Sequence, residues 1–151
     1  MRLKSYTDYA LRVLMHLAAR PDRLASIGEI ARTHRISHNH LMKVVQDLRK
    51  EGFVDAVRGR TGGIRLGRPS SAISVGEVVR HTEAGFDLVD CGSCFIAPAC
   101  ALTGALHEAR QAFMAVLDGY SLEDLVEERK SGLRELLSSY SAGPAVVAAA
   151  G

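Results

Sequence analysis

Tryptophan is absent from this chain of 151 residues, and aromatic residues make up only 5% of it. That scarcity argues against a carbohydrate platform or a base-stacking surface. Long apolar runs are also missing. Arg12 and His16 interrupt the segment behind the basic start Met1-Arg2-Leu3-Lys4, so neither a signal peptide nor a membrane span is expected. No glycine-rich nucleotide motif and no nucleophile–base arrangement stands out, which argues against an enzyme, and there is no internal repeat. Cysteine is rare too: there are three, all within Asp90–Cys100. Three thiols cannot all pair within one chain, and without an export signal a reducing cytoplasm is expected. Metal or cofactor ligation is then favoured over disulfides.

What is present is unevenly charged. Residues 1–70 carry 14 Lys and Arg against 6 Asp and Glu, a net of +8; residues 71–151 carry 5 against 11, a net of −6. A basic head on an acidic body points to a polyanion partner on one side. With 47% hydrophobic and 24% charged residues the chain has ordinary globular composition, enough for one core or a small head with an extension.

In the head, Ala10, Leu11, Val13, Leu14, Leu17 and Ala18 have helical spacing up to Pro21. Asp8 falls in the opening turn, where a carboxylate suits the helix dipole and capping is its plainest role. Ser26-Ile27-Gly28-Glu29 forms a capping box for a short helix. After a turn at Thr33–Ile36, Ser37 opens a second helix with Leu41, Val44, Val45 and Leu48 on one side. Asn39, Lys43, Gln46 and Lys50 fall on the other. Two short helices and a tight turn predict a helix-turn-helix, with Ser37, His38, Asn39, His40 and Lys43 nearest the groove. Two alternating segments, Phe53–Val57 and Ile64–Leu66, flank a glycine-rich turn and predict a β-hairpin. Arg58, Arg60, Arg65 and Arg68, with Thr61 at the tip and no acid in that span, would repel one another without a polyanion. A basic hairpin directly after a recognition helix is a wing. The fold expected is mainly α with one small hairpin, a winged helix-turn-helix head over residues 1–70.

Residues 71–138 read as a cysteine loop and a dimerisation helix. Cys91, Cys94 and Cys100 have C-x2-C-x5-C spacing, and Leu102, Leu106, Ala109, Phe113, Val116 and Leu117 then form a long stripe that predicts pairing with a second copy. Residues 139–151 read as a disordered tail. Thiolates suit either zinc or an iron–sulfur cluster, and both usually take four ligands. His81, His107 and Asp8 are candidates for the fourth, although a lone histidine on a helix is more often a surface residue.

The span from Met1 to about Lys130 resembles the winged-helix iron–sulfur repressors of the Rrf2 family. The resemblance rests on Leu3–Arg12, Ser37–Leu41, Val57–Gly67 and Pro98-Ala99-Cys100. Some members carry a histidine three residues after the last cysteine, where this chain has Thr103, and others tend to have Asn at position 8. Asp8 matches the nitric-oxide-sensing members. The resemblance implies a 4Fe–4S cluster held by Cys91, Cys94 and Cys100 of one subunit and Asp8 of the other, in a homodimeric repressor that releases its double-stranded DNA operator on nitrosylation. A 2Fe–2S centre or zinc is the alternative cofactor. An iron-status regulator and a thiol redox or electron-transfer protein are the alternative functions. In this chain two residues separate Cys91 from Cys94, where relatives usually have more. That short spacer still brings two thiolates to one metal centre.

Overall fold

The computed structural model describes residues 2–85, 87–128 and 130–141. The order is α1 (Ser5–Ala18), α2 (Ile27–His34), α3 (His38–Lys50), β1 (Val54–Val57), β2 (Gly63–Leu66), α4 (Val75–Thr82), α5 (Ala101–Asp118), α6 (Leu122–Glu127) and α7 (Lys130–Ser141). The expected winged helix-turn-helix is present.

α1 is the central post. Ala10, Val13 and Leu14 are fully buried, and the same core takes Ile30 from α2, Leu41, Val44 and Leu48 from α3, and Phe53, Val54 and Ile64 from the hairpin. Its apolar face satisfies the helical period, and burial of one such side chain is worth ~1.5–3 kcal/mol. The core continues past residue 70: Ile73, Val78, Leu122, Val126 and Leu137 belong to it. Strand-like bonds from Val75 N–H to Tyr120 C=O (2.8 Å) and from Leu122 N–H to Ile73 C=O (2.9 Å) tie the starts of α4 and α6 together.

Ser26 and Ser74 cap α2 and α4 by accepting the N–H of Glu29 and Glu77, each at 3.0 Å. The reciprocal capping box is at Ser121 and Asp124, at the start of α6. α1 begins at Ser5 with no side-chain cap of its own. Its capping group comes from the end of α4: the Glu83 carboxylate, 4% exposed, accepts the Lys4 N–H at 2.6 Å and the Thr7 hydroxyl at 2.5 Å. Asp8 therefore does not cap α1 as expected; it accepts Arg12 Nε one turn on, at 2.9 Å.

The turn of the helix-turn-helix places Arg35 in the left-handed region, φ 54°, and lets the Ile36 N–H close onto Ala31 C=O at 2.9 Å. β1 and β2 pair antiparallel from Val54↔Leu66 to Val57↔Gly63. The hairpin is pinned to the body through Ala25, which exchanges backbone bonds with Ile64 at 2.8 and 3.1 Å. α7 reaches Ser141, where the sequence predicted fraying from residue 139; the Tyr140 hydroxyl accepts Arg35 Nε at 3.3 Å. The rest of the expected tail, 142–151, lies outside the described residues.

Candidate nucleic-acid interface and sulfur loop

The period of α3 turns its apolar residues inward and leaves Ser37, His38, Asn39, His40 and Lys43 exposed at and after its N-terminus. Ser37 occupies the N-cap position without making the side-chain cap bond, and the first turn carries no acid. Its hydroxyl and the first N–H groups of the helix are therefore open to an anion. At the wing tip Arg58, Arg60 and Thr61 are exposed, and neither arginine has an ion pair among the described residues.

The other two wing arginines differ from the sequence expectation of four mutually repelling cations. Arg65 pairs with Asp55 across the hairpin at 3.2 Å, because the register sets those residues opposite each other. Arg68 pairs with Glu77 at 2.9 Å and lies over the Phe53 ring at 4.9 Å. Arg68 thus belongs to the head–α4 joint, whereas Arg65 stays exposed with a partner on the wing itself.

The sulfur loop runs from the end of α4 to the start of α5. Asp90 organises it: its carboxylate accepts the Gly92 N–H at 3.0 Å and the Ser93 hydroxyl at 2.9 Å, and these bonds, Ser93's first, hold its pKa below the usual carboxylate value. The Cys94 N–H bonds to Cys91 C=O at 3.3 Å, closing a turn over the two intervening residues. A 3-10 turn, Ala97–Ala99, contains Pro98, and Cys100 is the N-cap of α5. Cys94 is exposed; Cys91 and Cys100 are half-buried. Cys91 Sγ lies 3.5 Å from Thr103 Oγ1, and a cleft of about 640 Å³ beside it is lined by Asp87, Thr103, Leu106, His107 and Arg110. Asp90 is a site residue that the cysteine spacing does not mark, and Thr103, marked only as standing where some relatives carry a histidine, approaches Cys91. The Asp-x-Gly/Ser pattern of a side-chain-closed turn was the available signal for Asp90.

Among the described residues no three His, Cys, Asp or Glu side chains gather as a metal site. Asp8 is partnered with Arg12 and does not complete a four-ligand set with the thiols of its own chain. His81 is held elsewhere, its Nε2 2.8 Å from Asp47 Oδ2 and its ring tilted against Phe53. Only His107 shares the cleft with Cys91. In kind the donors fit an iron–sulfur centre: three soft sulfurs on one accessible loop, one ligand short of four.

No side chain of α5 is buried. Leu102 is 57% and Val116 61% exposed, and Phe95 and Ile96 on the loop are 96% and 61% exposed. The joint between α4 and α5 is close: a Cβ at Gly76 would meet the Asp118 side chain and come within 2.9 Å of its backbone nitrogen, and Arg80 forks onto the Asp118 carboxylate. Among the described residues no helix is long and apolar enough to cross a membrane.

A recognition helix with an open N-terminus, backed by a wing whose tip cations have no ion pair among the described residues, is the reading head of a winged helix-turn-helix transcriptional regulator. Residues 3–128 match the Rrf2 family, described as iron-dependent transcriptional regulators, and the chain belongs to that family. It is 49% identical over 142 residues to the HTH-type transcriptional regulator NsrR of Bacillus subtilis, covering 90% of this chain and 97% of that protein. Its fold is similar to the oxidised form of Staphylococcus aureus CymR, with 28% identity and a TM-score of 0.71 over 84% of this chain and 97% of that one. IscR of T. potens is similar in fold, at 22% identity and a TM-score of 0.73, covering 87% and 90% of the two chains. The protein is accordingly a transcriptional regulator and not an enzyme.

Proposed function

We propose that this chain is a cytoplasmic, homodimeric repressor that holds an iron–sulfur cluster and releases its DNA operator when nitric oxide reaches that centre. The observation that carries the reading is the placement of three accessible thiols on a loop that feeds an uncovered apolar helix, in a chain 49% identical to NsrR. Cys91, Cys94 and Cys100 supply the sulfur ligands. Asp8, half-exposed on α1 and bound among the described residues to a surface arginine, supplies the fourth from a second copy, as the resemblance to nitric-oxide-sensing members implies. Four ligands of this kind suit a 4Fe–4S centre, which when bound supplies iron that nitric oxide can attack. A carboxylate is a hard, weak ligand for such iron, so the Asp8 position is the most open.

The chain's own residues convert ligation into geometry. Glu83 caps α1 from the end of α4, so the helix carrying Asp8 is fastened to the segment that leads into the thiols. Ligation by Asp8 of a group held on the other protomer's loop would fix one head relative to the other. Its loss would change the spacing of two α3 helices that must match half-sites about 34 Å, or a multiple, apart. Ser37, His38, Asn39, His40 and Lys43 meet the major groove, and Arg58, Arg60, Thr61 and Arg65 meet the backbone or the adjacent minor groove.

The test is made without oxygen. The purified protein is expected to be coloured, to contain iron and sulfide, and to shift promoter DNA until stoichiometric nitric oxide is added. Colourless protein containing zinc would reject the cluster, and unchanged DNA binding would reject the sensing role. Release on iron chelation alone would favour an iron-status regulator instead. Asp8→Ala is expected to alter the visible spectrum.

A further inference from the structure

We infer that Cys91 and Cys94 close into a reversible disulfide when the loop carries no metal, which makes the same loop a thiol-oxidation site. The geometry comes from the turn. Cys94 N–H donates to Cys91 C=O at 3.3 Å, and a turn of that i to i+3 kind brings its end Cα atoms within about 7 Å. Disulfides span Cα separations of roughly 4.4–6.8 Å. Asp90 grips both intervening residues, Gly92 through its N–H and Ser93 through its hydroxyl, so the turn is fastened from outside and leaves both cysteine side chains uncommitted to its closure. Cys94 is exposed and Cys91 half-buried, which gives an oxidant access to one sulfur, while the Cys91 thiol, 3.5 Å from the Thr103 hydroxyl, is held only by a weak contact that it can leave. Cys100 lies beyond the Ala97–Ala99 turn with an extended backbone at the head of α5, outside the closed turn.

The oxidant required is a hydroperoxide. With hydrogen peroxide, the Cys94 thiolate attacks one oxygen, the O–O bond breaks, and a sulfenic acid and one water result. The Cys91 thiolate then attacks that sulfur, the S–O bond breaks, and hydroxide leaves and is protonated. Two thiols and one peroxide become one disulfide and two waters. A dithiol reductant reverses the change by exchange. The bridge removes two of the three sulfurs proposed above as iron ligands, so a loop emptied under oxidative conditions waits for reduction before it can be refilled. This consequence rests on the proposed function; the bridge itself does not.

The experiment uses the full chain, metal-free and reduced, with one equivalent of hydrogen peroxide, followed by alkylation and chymotryptic digestion without reductant. Phe95 is 96% exposed, and cleavage after it parts Cys91 and Cys94 from Cys100. Expected are a peptide holding Cys91 and Cys94 unalkylated and about 2 Da lighter than the dithiol, and a separate peptide with Cys100 alkylated. Dithiothreitol should restore alkylation of all three. Cys100→Ser should oxidise as the parent does, and Cys94→Ser should not form the light peptide. Three alkylated cysteines, a bridge that keeps the Cys100 peptide attached, or a cross-link between chains overturns the proposal. In a second arm, ferrous iron and sulfide are added to the oxidised and the reduced protein. Colour only in the reduced sample is expected, and equal uptake overturns the regulatory consequence. No uptake by the reduced sample counts against the iron–sulfur reading, while the peptide masses still decide the bridge.

Discussion

His81 Nε2 lies 2.8 Å from Asp47 Oδ2, on the same oxygen that accepts the Tyr6 hydroxyl at 2.8 Å. One carboxylate of the recognition helix therefore joins α1 and α4, and α4 leads directly to the sulfur loop. Burial tends to raise the Asp47 pKa, but its bonds to Tyr6 and His81 outweigh this and hold it low. Burial, then the bond to Asp47, pushes Tyr6 up to about 12.

Asp47→Ala should loosen this joint. The Tyr6 hydroxyl and the His81 imidazole lose their acceptor, at a cost of about 1–2 kcal/mol in urea unfolding. The Tyr6 phenolate should also appear at lower pH, since part of its shift comes from Asp47. In the parent, a tyrosine whose folded pKa is raised contributes stability that is present below pH 10 and lost as pH rises from there towards 12. An ultraviolet titration of the two proteins reads the difference; superimposable curves would remove Asp47 from the account.

Glu83→Ala should destabilise α1 from a distance. The first turn of a helix needs acceptors for its free N–H groups, and here the acceptor is a buried carboxylate 79 residues away in the sequence. Removing it leaves the Lys4 N–H and the Thr7 hydroxyl without that partner, and a loss of about 2 kcal/mol is expected. Amide hydrogen exchange should localise the effect to residues 4–8. Uniform loss of protection across the head would argue for a general packing role instead.

The sequence carried the head clearly, because each of its elements has a local signal: the α3 stripe, the glycine-rich wing and the serine caps. It did not carry the partners of His81 or Arg68 or the distant cap of α1, since these are set by contacts between different elements. Asp8 looked like a cap because its position suits one, yet Glu83 takes that role through tertiary structure. His81 looked available as a ligand because nothing near it in sequence shows Asp47 opposite. The thiol loop was legible from its spacing alone, but its closure by Asp90 and the approach of Thr103 depend on a turn and on how α5 leaves it.

Acid should weaken the fold through His16. This residue is 1% exposed, its Nδ1 lies 3.3 Å from His34 Nε2, and its Nε2 is buried with no partner among the described residues. Burial first, then His34 and the nearby arginines, pushes its pKa down to about 4, and burial lowers that of His34 as well. The folded state therefore resists a proton that the unfolded chain accepts. With respect to this group, stability should be level above pH 6.5, fall between 6.5 and about 4, and level off again below that. The His16 loss is on the order of 3 kcal/mol. Urea midpoints across that range provide the measurement, and His16→Leu should flatten most of the slope while leaving the neutral-pH stability nearly unchanged or higher.

Salt dependence should separate the wing's cations from its paired arginines. Arg58 and Arg60 have no ion pair among the described residues, so each that meets a phosphate releases about one counterion. Arg58→Ala or Arg60→Ala should weaken binding to all sequences alike and lower the slope of log affinity against log salt by about one. Arg68→Ala should leave that slope unchanged and instead cost folding stability, because its guanidinium is spent on Glu77 and the Phe53 ring. Asn39→Ala should lower the preference for operator over random DNA by ~1–3 kcal/mol if the amide reads a base edge. Filter binding at three salt concentrations with both kinds of DNA distinguishes these outcomes.

Charges placed on α5 should separate subunit pairing from folding. Since no α5 side chain is buried within one chain, and Leu102 and Val116 are more than half exposed, aspartates there remove nothing from the core built around α1. A helix of 18 residues with an uncovered apolar stripe has little reason to stay in water alone. Leu102→Asp with Val116→Asp should therefore keep the parent far-UV circular dichroism and thermal midpoint of the head, while light scattering shows the mass of one chain where the parent shows two. DNA affinity should fall with it, because one head contacts one half-site and forfeits the second set of phosphate and base contacts. A double variant that still pairs would place the subunit contact elsewhere, and with it the partner loop that Asp8 is proposed to reach.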